Sequence, residues 1–143
     1  MKKVYRNFTT KEEAQDQLKH RRERYSIKSN KNDLVDKIIN KLKNDFEFEI
    51  KDESYWKVEH RPQGHQWHKD TGSSDGMMWC QVGVSLLLED GESGGETFYG
   101  KKKDDEDPIK LDRGVYDLIA HTSDEWHMVT PHKGKRIVFL MFI

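Results

Sequence analysis

"DEWHMVTPHKGKRIVFLMFI", residues 124–143, reads as two strands joined by a turn. "EWHMV" has strand composition with His127 at its centre, and "PHKGK" supplies the proline and glycine that break a strand. "RIVFLMFI" is an apolar run of strand length. Arg136 opens that second strand, nine residues after His127. On paired antiparallel strands the histidine and the arginine would project into one barrel interior, so this stretch predicts an all-β closure.

Working outward, the same pattern continues upstream. "CQVGVSLLL" is a long buried-strand candidate that ends at the turn-rich "EDGESGG", and "ETFYG" is a short strand after it. The charged loop "KKKDDEDP" follows, then strands around Ile109 to Leu111 and in "VYDLIA". "YWKVEHR" places Trp56, Val58 and His60 on one face, and "FEFEI" (46–50) alternates as a half-buried strand does. About eight strands are legible. Ahead of them, Thr9 or Thr10 with Glu12 or Glu13 forms a capping box, which predicts a charged helix over roughly 10–20. Leu34, Val35, Ile38, Ile39 and Leu42 have the spacing of a second, amphipathic helix that packs on a sheet. The organisation predicted is a single domain over 1–143, with helical support from 1–45 and the β core from 46–143.

Composition narrows the class. The chain has 143 residues and a formal net charge of −1, which argues against a general nucleic-acid binder. Residues 1–50 hold 13 basic and 9 acidic side chains, and the rest of the chain is correspondingly acidic. That asymmetry, "RRER" at 21–24 included, reads as solvated helix faces. One cysteine, Cys80, excludes an intramolecular disulfide. With no apolar run of membrane-spanning length, the expectation is a soluble cytoplasmic protein without membrane association.

The chemistry concentrates in "GHQWHKDTG" (64–72). On a strand, His68 and Asp70 would share a face, so an imidazole and a carboxylate can meet one ion. A third ligand from a distant strand would complete a 2-His-1-carboxylate triad, which leaves adjacent positions open on a non-haem Fe(II). His127 fits that place by spacing. His121 reads as a polar strand end, and His132 lies in a turn too close to Arg136. His65 has the opposite strand parity from His68 and reads as a rim residue. Trp67 and Trp126 each precede a proposed ligand, so alternation points them away from the ion and into packing.

Taken together, "HKD" (68–70), "VGVSLLLED", "SGGETFYG" (93–100), "DRGVYDLIAH" (112–121) and "HMVTPHKGKR" (127–136) resemble the Fe(II)/2-oxoglutarate-dependent oxygenases of the prolyl 4-hydroxylase-like superfamily. The likeness covers about residues 55–143 and is greatest to small single-domain members, some of them encoded by phages. It implies a mainly β fold, a double-stranded β-helix (jelly-roll, cupin-like barrel) with supporting N-terminal α-helices. It implies His68, Asp70 and His127 as iron ligands, Arg136 as the partner of the distal carboxylate of 2-oxoglutarate, and Thr97 as a second contact there. An arginine suits that task because its guanidinium is a permanently charged, bidentate fork. The sequence departs from the family pattern where relatives carry tyrosine: at Arg61 or His60, and near Val84 to Leu86. His132 also stands where valine is usual.

The activity implied is hydroxylation of an unactivated C–H bond by Fe(II), 2-oxoglutarate and O2, with ascorbate as reductant and release of succinate and CO2. The substrate implied is a prolyl residue of a peptide or protein, although small molecules fit the chemistry as well. Relatives acting on nucleic-acid bases usually carry a second arginine shortly after the first, and "RIVFLMFI" has none. The alternative is a non-catalytic jelly-roll module that binds metal or ligand. The loop 100–107 reads as a solvated hairpin loop, with a substrate lid as its other reading.

Overall fold

Strands and helices form largely where apolar periodicity places them. The computed structural model describes residues 1–71 and 77–143, and Gly72, the glycine that closes the H-x-D stretch, lies outside them. Among the described residues, β1 (Lys2–Tyr5) and α1 (Lys11–Asp16) are followed by β2 (Tyr25–Ser26) and α2 (Asp33–Leu42). Next come β3 (Tyr55–Glu59), β4 (His65–His68), β5 (Val82–Glu89), β6 (Ser93–Gly94) and β7 (Thr97–Gly100). The chain ends with β8 (Ile109–Leu111), β9 (Leu118–Thr122), β10 (Trp126–Val129), β11 (His132–Lys133) and β12 (Ile137–Phe142).

Two antiparallel sheets carry the barrel. The major one runs β1-β9-β5-β12-β3-β2, the minor one β4-β10-β7-β8, and β11 pairs with β6 beside them. β5 and β12 are central strands of the major sheet, and alternation divides their side chains between its two faces. Val82, Val84, Leu86 and Leu88 of β5 join Ile137, Phe139 and Met141 of β12 in one buried cluster with the apolar residues of α2. The helices therefore cover one face of the major sheet. The opposite parity, including Ser85, His121, Leu140 and Phe142, lines the interior cavities.

Both helices are held by caps. Thr10 and Glu13 form the capping box of α1, with the Thr10 hydroxyl accepting from the Glu13 N–H at 3.1 Å. Asn32 caps α2, and all five apolar residues of its stripe are buried. The helical part also contains β1, a short strand that joins the sheet edge by pairing with β9.

Two sequence expectations are corrected here. Residues 46–50 are not a strand. Phe46 is buried and Phe48 and Ile50 pack against the core, as the alternation requires, but the backbone finds a side chain where a ladder partner was expected. Gln81 takes that place: its amide N–H donates to the Glu49 carbonyl at 2.9 Å, and its oxygen accepts the Glu49 N–H. Nor do His127 and Arg136 lie on paired strands. β10 pairs with β4 and β7, and β12, which Arg136 immediately precedes, pairs with β3 and β5, so the two residues are held by different sheets. The turn at "PHKGK" carries the chain across the barrel.

Candidate metal centre

His68 and His127 are cross-strand partners in the β4–β10 ladder, with ring centroids 4.2 Å apart. Each imidazole is oriented in the same way. The Nδ1–H of His68 donates to the Gln66 carbonyl at 2.7 Å, and that of His127 to the Glu125 carbonyl at 2.9 Å. A carbonyl only accepts, so both rings carry their proton on Nδ1 and present an Nε2 lone pair inward. Both Nε2 atoms face one oxygen, Oδ1 of Asp70, at 3.6 Å from His68 and 3.4 Å from His127.

Three acceptors thus converge on one point, all within 4.8 Å of one another. Protonation does not relieve their repulsion. Burial pushes the His127 pKa down to about 3 and lowers that of His68 as well. A cation does relieve it, and two imidazole nitrogens with one carboxylate oxygen are a donor set suited to a first-row divalent metal.

Asp70 is not on β4 but in the bend just beyond it. What orients its carboxylate is a chain of hydrogen bonds that the sequence did not reveal. The Tyr99 hydroxyl donates to Nδ1 of His121 at 2.7 Å, and Nε2–H of His121 donates to Oδ2 of Asp70 at 2.7 Å. Burial alone would raise the Asp70 carboxyl, but the bond from His121 and the charges of His121, His127 and His68 together outweigh it and hold the group below the ordinary carboxylate range. Thr71 fixes the backbone after Asp70, its hydroxyl bonding the Cys80 carbonyl at 2.8 Å and the Ser123 hydroxyl. Gly83 leaves the space: a Cβ there would lie 2.6 Å from Nε2 of His121 and closer still to Oδ2 of Asp70. His121 is therefore a neighbour of the triad that supports its carboxylate.

His65 also faces the interior, contrary to the parity expected of it. His127 aligns with His68 and Val129 aligns with His65, so three steps on β4 match two on β10. That bulge turns both histidines to one side. His65 bonds Glu59 at 3.0 Å. Burial would raise the Glu59 carboxyl, but His65 and Lys57 together bring it down to about 2. Trp67 and Trp126 point away from the triad as expected, although both are half-buried on the outer surface and not in the core.

The triad opens into a cavity of about 80 Å³. A second cavity of about 40 Å³ shares His65, Ser85, Val129 and Leu140 with it, so the two are adjoining chambers. Arg136 lies in the wall of the second chamber. It is 7% exposed and makes no hydrogen bond or ion pair among the described residues. Gly95 (φ +70°) gives the arginine its path, since a Cβ there would meet the Arg136 side chain, with Cζ only 3.1 Å away. Thr97 lines the metal-side chamber and not the arginine-side one. The polar groups that line the chamber with Arg136 include Ser85, Arg61, Arg113 and Glu59, and Asp90 and Glu59 are the acids whose charges act on it.

Over the outer side of His68 and Asp70 runs an open groove of about 1600 Å³, bordered by Tyr55, Trp67 and Trp126 with Arg24, Lys57, Arg61, Lys69 and Lys103. The loop 100–107 contributes Lys103 to this groove. It is braced by Asp105, which accepts from the Lys101 N–H at 2.7 Å and the Asp107 N–H at 3.0 Å.

Comparison with solved structures shows which known proteins share this fold. A viral collagen prolyl hydroxylase from Paramecium bursaria Chlorella virus-1, solved with 2-oxoglutarate, matches 99% of this chain and 94% of its own at TM-score 0.69 and 14% identity. The fold is that of the prolyl hydroxylases. A Pseudomonas putida prolyl-4-hydroxylase matches 99% of this chain and 83% of its own at TM-score 0.70 and 13% identity. A Trichoplax adhaerens prolyl hydroxylase, solved with a peptide fragment of the hypoxia inducible factor oxygen degradation domain, covers 99% and 82% at TM-score 0.65 and 13% identity. No family model matches the sequence, and no curated protein matches it. The prolyl hydroxylase fold, a mainly β double-stranded β-helix, is the architecture that the sequence motifs implied. Among the described residues, no helix is long and apolar enough to cross a membrane.

Proposed function

We propose that the protein is an Fe(II)- and 2-oxoglutarate-dependent oxygenase that hydroxylates an unactivated C–H bond, with a prolyl residue of a peptide or protein as substrate. The observation that carries this reading is the convergence of His68 Nε2, Asp70 Oδ1 and His127 Nε2 on one point, beside a chamber walled by an unpaired buried arginine. The donor set fits iron(II), and the arginine fits the distal carboxylate of 2-oxoglutarate. When bound, iron(II) with 2-oxoglutarate and O2 supplies the oxidising power for C–H hydroxylation, with succinate and CO2 as the other products.

The residues do the rest. His68, Asp70 and His127 hold the metal, and the backbone carbonyls of Gln66 and Glu125 keep both imidazoles in the ligating tautomer. His121 holds the carboxylate so that Oδ1 faces the metal. Arg136 holds the distal carboxylate, while Val129 and Leu140 keep the passage between the chambers apolar. The groove over His68 is open enough for an extended polypeptide, and the peptide bound by the Trichoplax relative supports a substrate of that class. Thr97, in the metal-side chamber, would contact the cosubstrate nearer its oxo-acid end.

The test is an anaerobic titration with Fe(II) and 2-oxoglutarate, read by the visible charge-transfer band of an iron-bound 2-oxo acid. It should appear in wild type, vanish in Asp70→Ala, and need far more 2-oxoglutarate in Arg136→Ala. Oxygen uptake with proline-containing peptides then identifies the substrate. A band that Asp70→Ala leaves intact would refute the ligand set. A wild type that binds metal and 2-oxoglutarate, yet turns over neither slowly alone nor with any substrate, would favour a binding module.

A further inference from the structure

Arg136 is not the only guanidinium in the inner chamber. Arg113, from the segment between β8 and β9, shares the chamber wall with it. Nη1 of Arg113 donates to the carbonyl of Ser85 at 3.1 Å and to its hydroxyl at 3.2 Å. No other hydrogen bond or ion pair engages either arginine among the described residues, so Nε and Nη2 of Arg113 and the whole fork of Arg136 are unused. Burial and the nearby Arg136 lower the Arg113 pKa to about 10, the expected mark of two cations enclosed together. The single acidic residue in that wall, Glu59, is already engaged by Lys57 and His65, each at 3.0 Å.

Two enclosed guanidinium charges, Arg136 buried and Arg113 half-buried, face one chamber. Asp90 attracts both but is not in the chamber lining, so an anion entering between the two arginines relieves their repulsion. We propose that Arg113 and Arg136 form a two-arginine clamp for the distal carboxylate of the cosubstrate, and that Arg113 makes the site selective for dicarboxylic over monocarboxylic oxo acids. This rests on the cosubstrate reading above. It also explains how the site does without tyrosine near residues 84–86: Ser85 stands there and serves as the bracket for Arg113. The donors left free on Arg113 supply the hydrogen bonds that a phenol would give, with a full positive charge added.

The experiment compares 2-oxoglutarate with 2-oxobutanoate, which has the same oxo-acid head and no distal carboxylate. Binding of each is measured by anaerobic calorimetry on the Mn(II)-loaded protein, in wild type, Arg113→Gln, Arg113→Lys and Ser85→Ala. Arg113→Gln should weaken 2-oxoglutarate about ten- to a hundredfold, the usual loss of a charge-assisted hydrogen-bonding partner. It should leave 2-oxobutanoate within about threefold, because Arg113 never reaches the head group. Arg113→Lys should recover part of the loss, and Ser85→Ala should show a smaller loss with the same selectivity. Equal weakening of both oxo acids, or no weakening of either, would overturn the clamp, the first pointing to a merely structural arginine. If the wild type binds neither oxo acid, the cosubstrate reading itself fails and the clamp fails with it. Thermal unfolding of each variant separates loss of the fold from loss of the site.

Discussion

Replacing Gly83 by alanine adds one methyl group, and the structure gives it nowhere to go. Gly83 stands directly across from His121 in the β5–β9 ladder, on the face of the major sheet turned towards Asp70. The new Cβ would lie 2.6 Å from Nε2 of His121 and 3.2 Å from Cγ of Asp70, with Oδ2 nearer. Comfortable contact needs roughly 3.5 Å, so the overlap is about 1 Å. β5 cannot retreat, because β9 and β12 flank it on both sides. The carboxylate must swing instead, which breaks its 2.7 Å bond to His121 and turns Oδ1 away from the two imidazoles. Overpacking of this kind costs about 1–3 kcal/mol, or about 3–10 °C in Tm for a chain of this size. Disturbing the partner of a metal-binding carboxylate lowers metal affinity about 10- to 100-fold. Calorimetric titration with Mn(II), alongside thermal unfolding, reads both effects. Gly114→Ala is the control, since a Cβ there meets Asp117 at an ordinary 3.6 Å. A Gly83→Ala variant that binds metal within twofold of wild type would refute the account of how Asp70 is aimed.

Three further outcomes are expected. Asn32→Ala removes a cap whose Oδ1 accepts from Leu34 and Val35 and whose amide donates to Gln17, and should cost about 1–2 kcal/mol in urea unfolding. Phe139→Ala, in the fully buried core and stacked on Trp56 at 5.3 Å, should cost about 3–5 kcal/mol by the same measurement. Glu59 has a folded pKa near 2, below its ordinary value of 4.5, so its carboxylate stabilises the fold above about pH 4.5. That contribution should be lost as pH falls from 4.5 towards 2, and Glu59→Gln should flatten this part of the acid limb in pH-dependent thermal unfolding.

Local patterns were legible where one residue's spacing carries the message. The stripe from Leu34 to Leu42 gave α2, the apolar run gave β12, and the H-x-D with a distant His127 gave the three side chains that the barrel brings together. What escaped depends on partners far away in the chain. "KKVY" becomes a strand because β9 offers it an edge, a fact absent from its own four residues. "FEFEI" alternates like a strand, yet the Gln81 side chain takes the place of a ladder partner. His65 breaks its parity because β4 bulges against β10. His121 looked like a polar strand end, since only the folded chain reveals Asp70 beside it. Arg113 was hidden for the same reason: nothing near "DRG" indicates that it will share a chamber wall with Arg136.

The division of the site between the two sheets has a mechanical meaning. Both imidazoles belong to the minor sheet, while Arg136 at the head of β12 and the serine bracket of Arg113 belong to the major one. The pocket is therefore a pair of calipers, with one jaw on each sheet and Leu140 and Val129 among the spacers. The helices packed behind the major sheet set how firmly that jaw is backed. The length of molecule the calipers accept is then a property of the whole core, and a methyl group lost from the packing beneath β12 would be felt as a change of gauge at His68, Asp70 and His127.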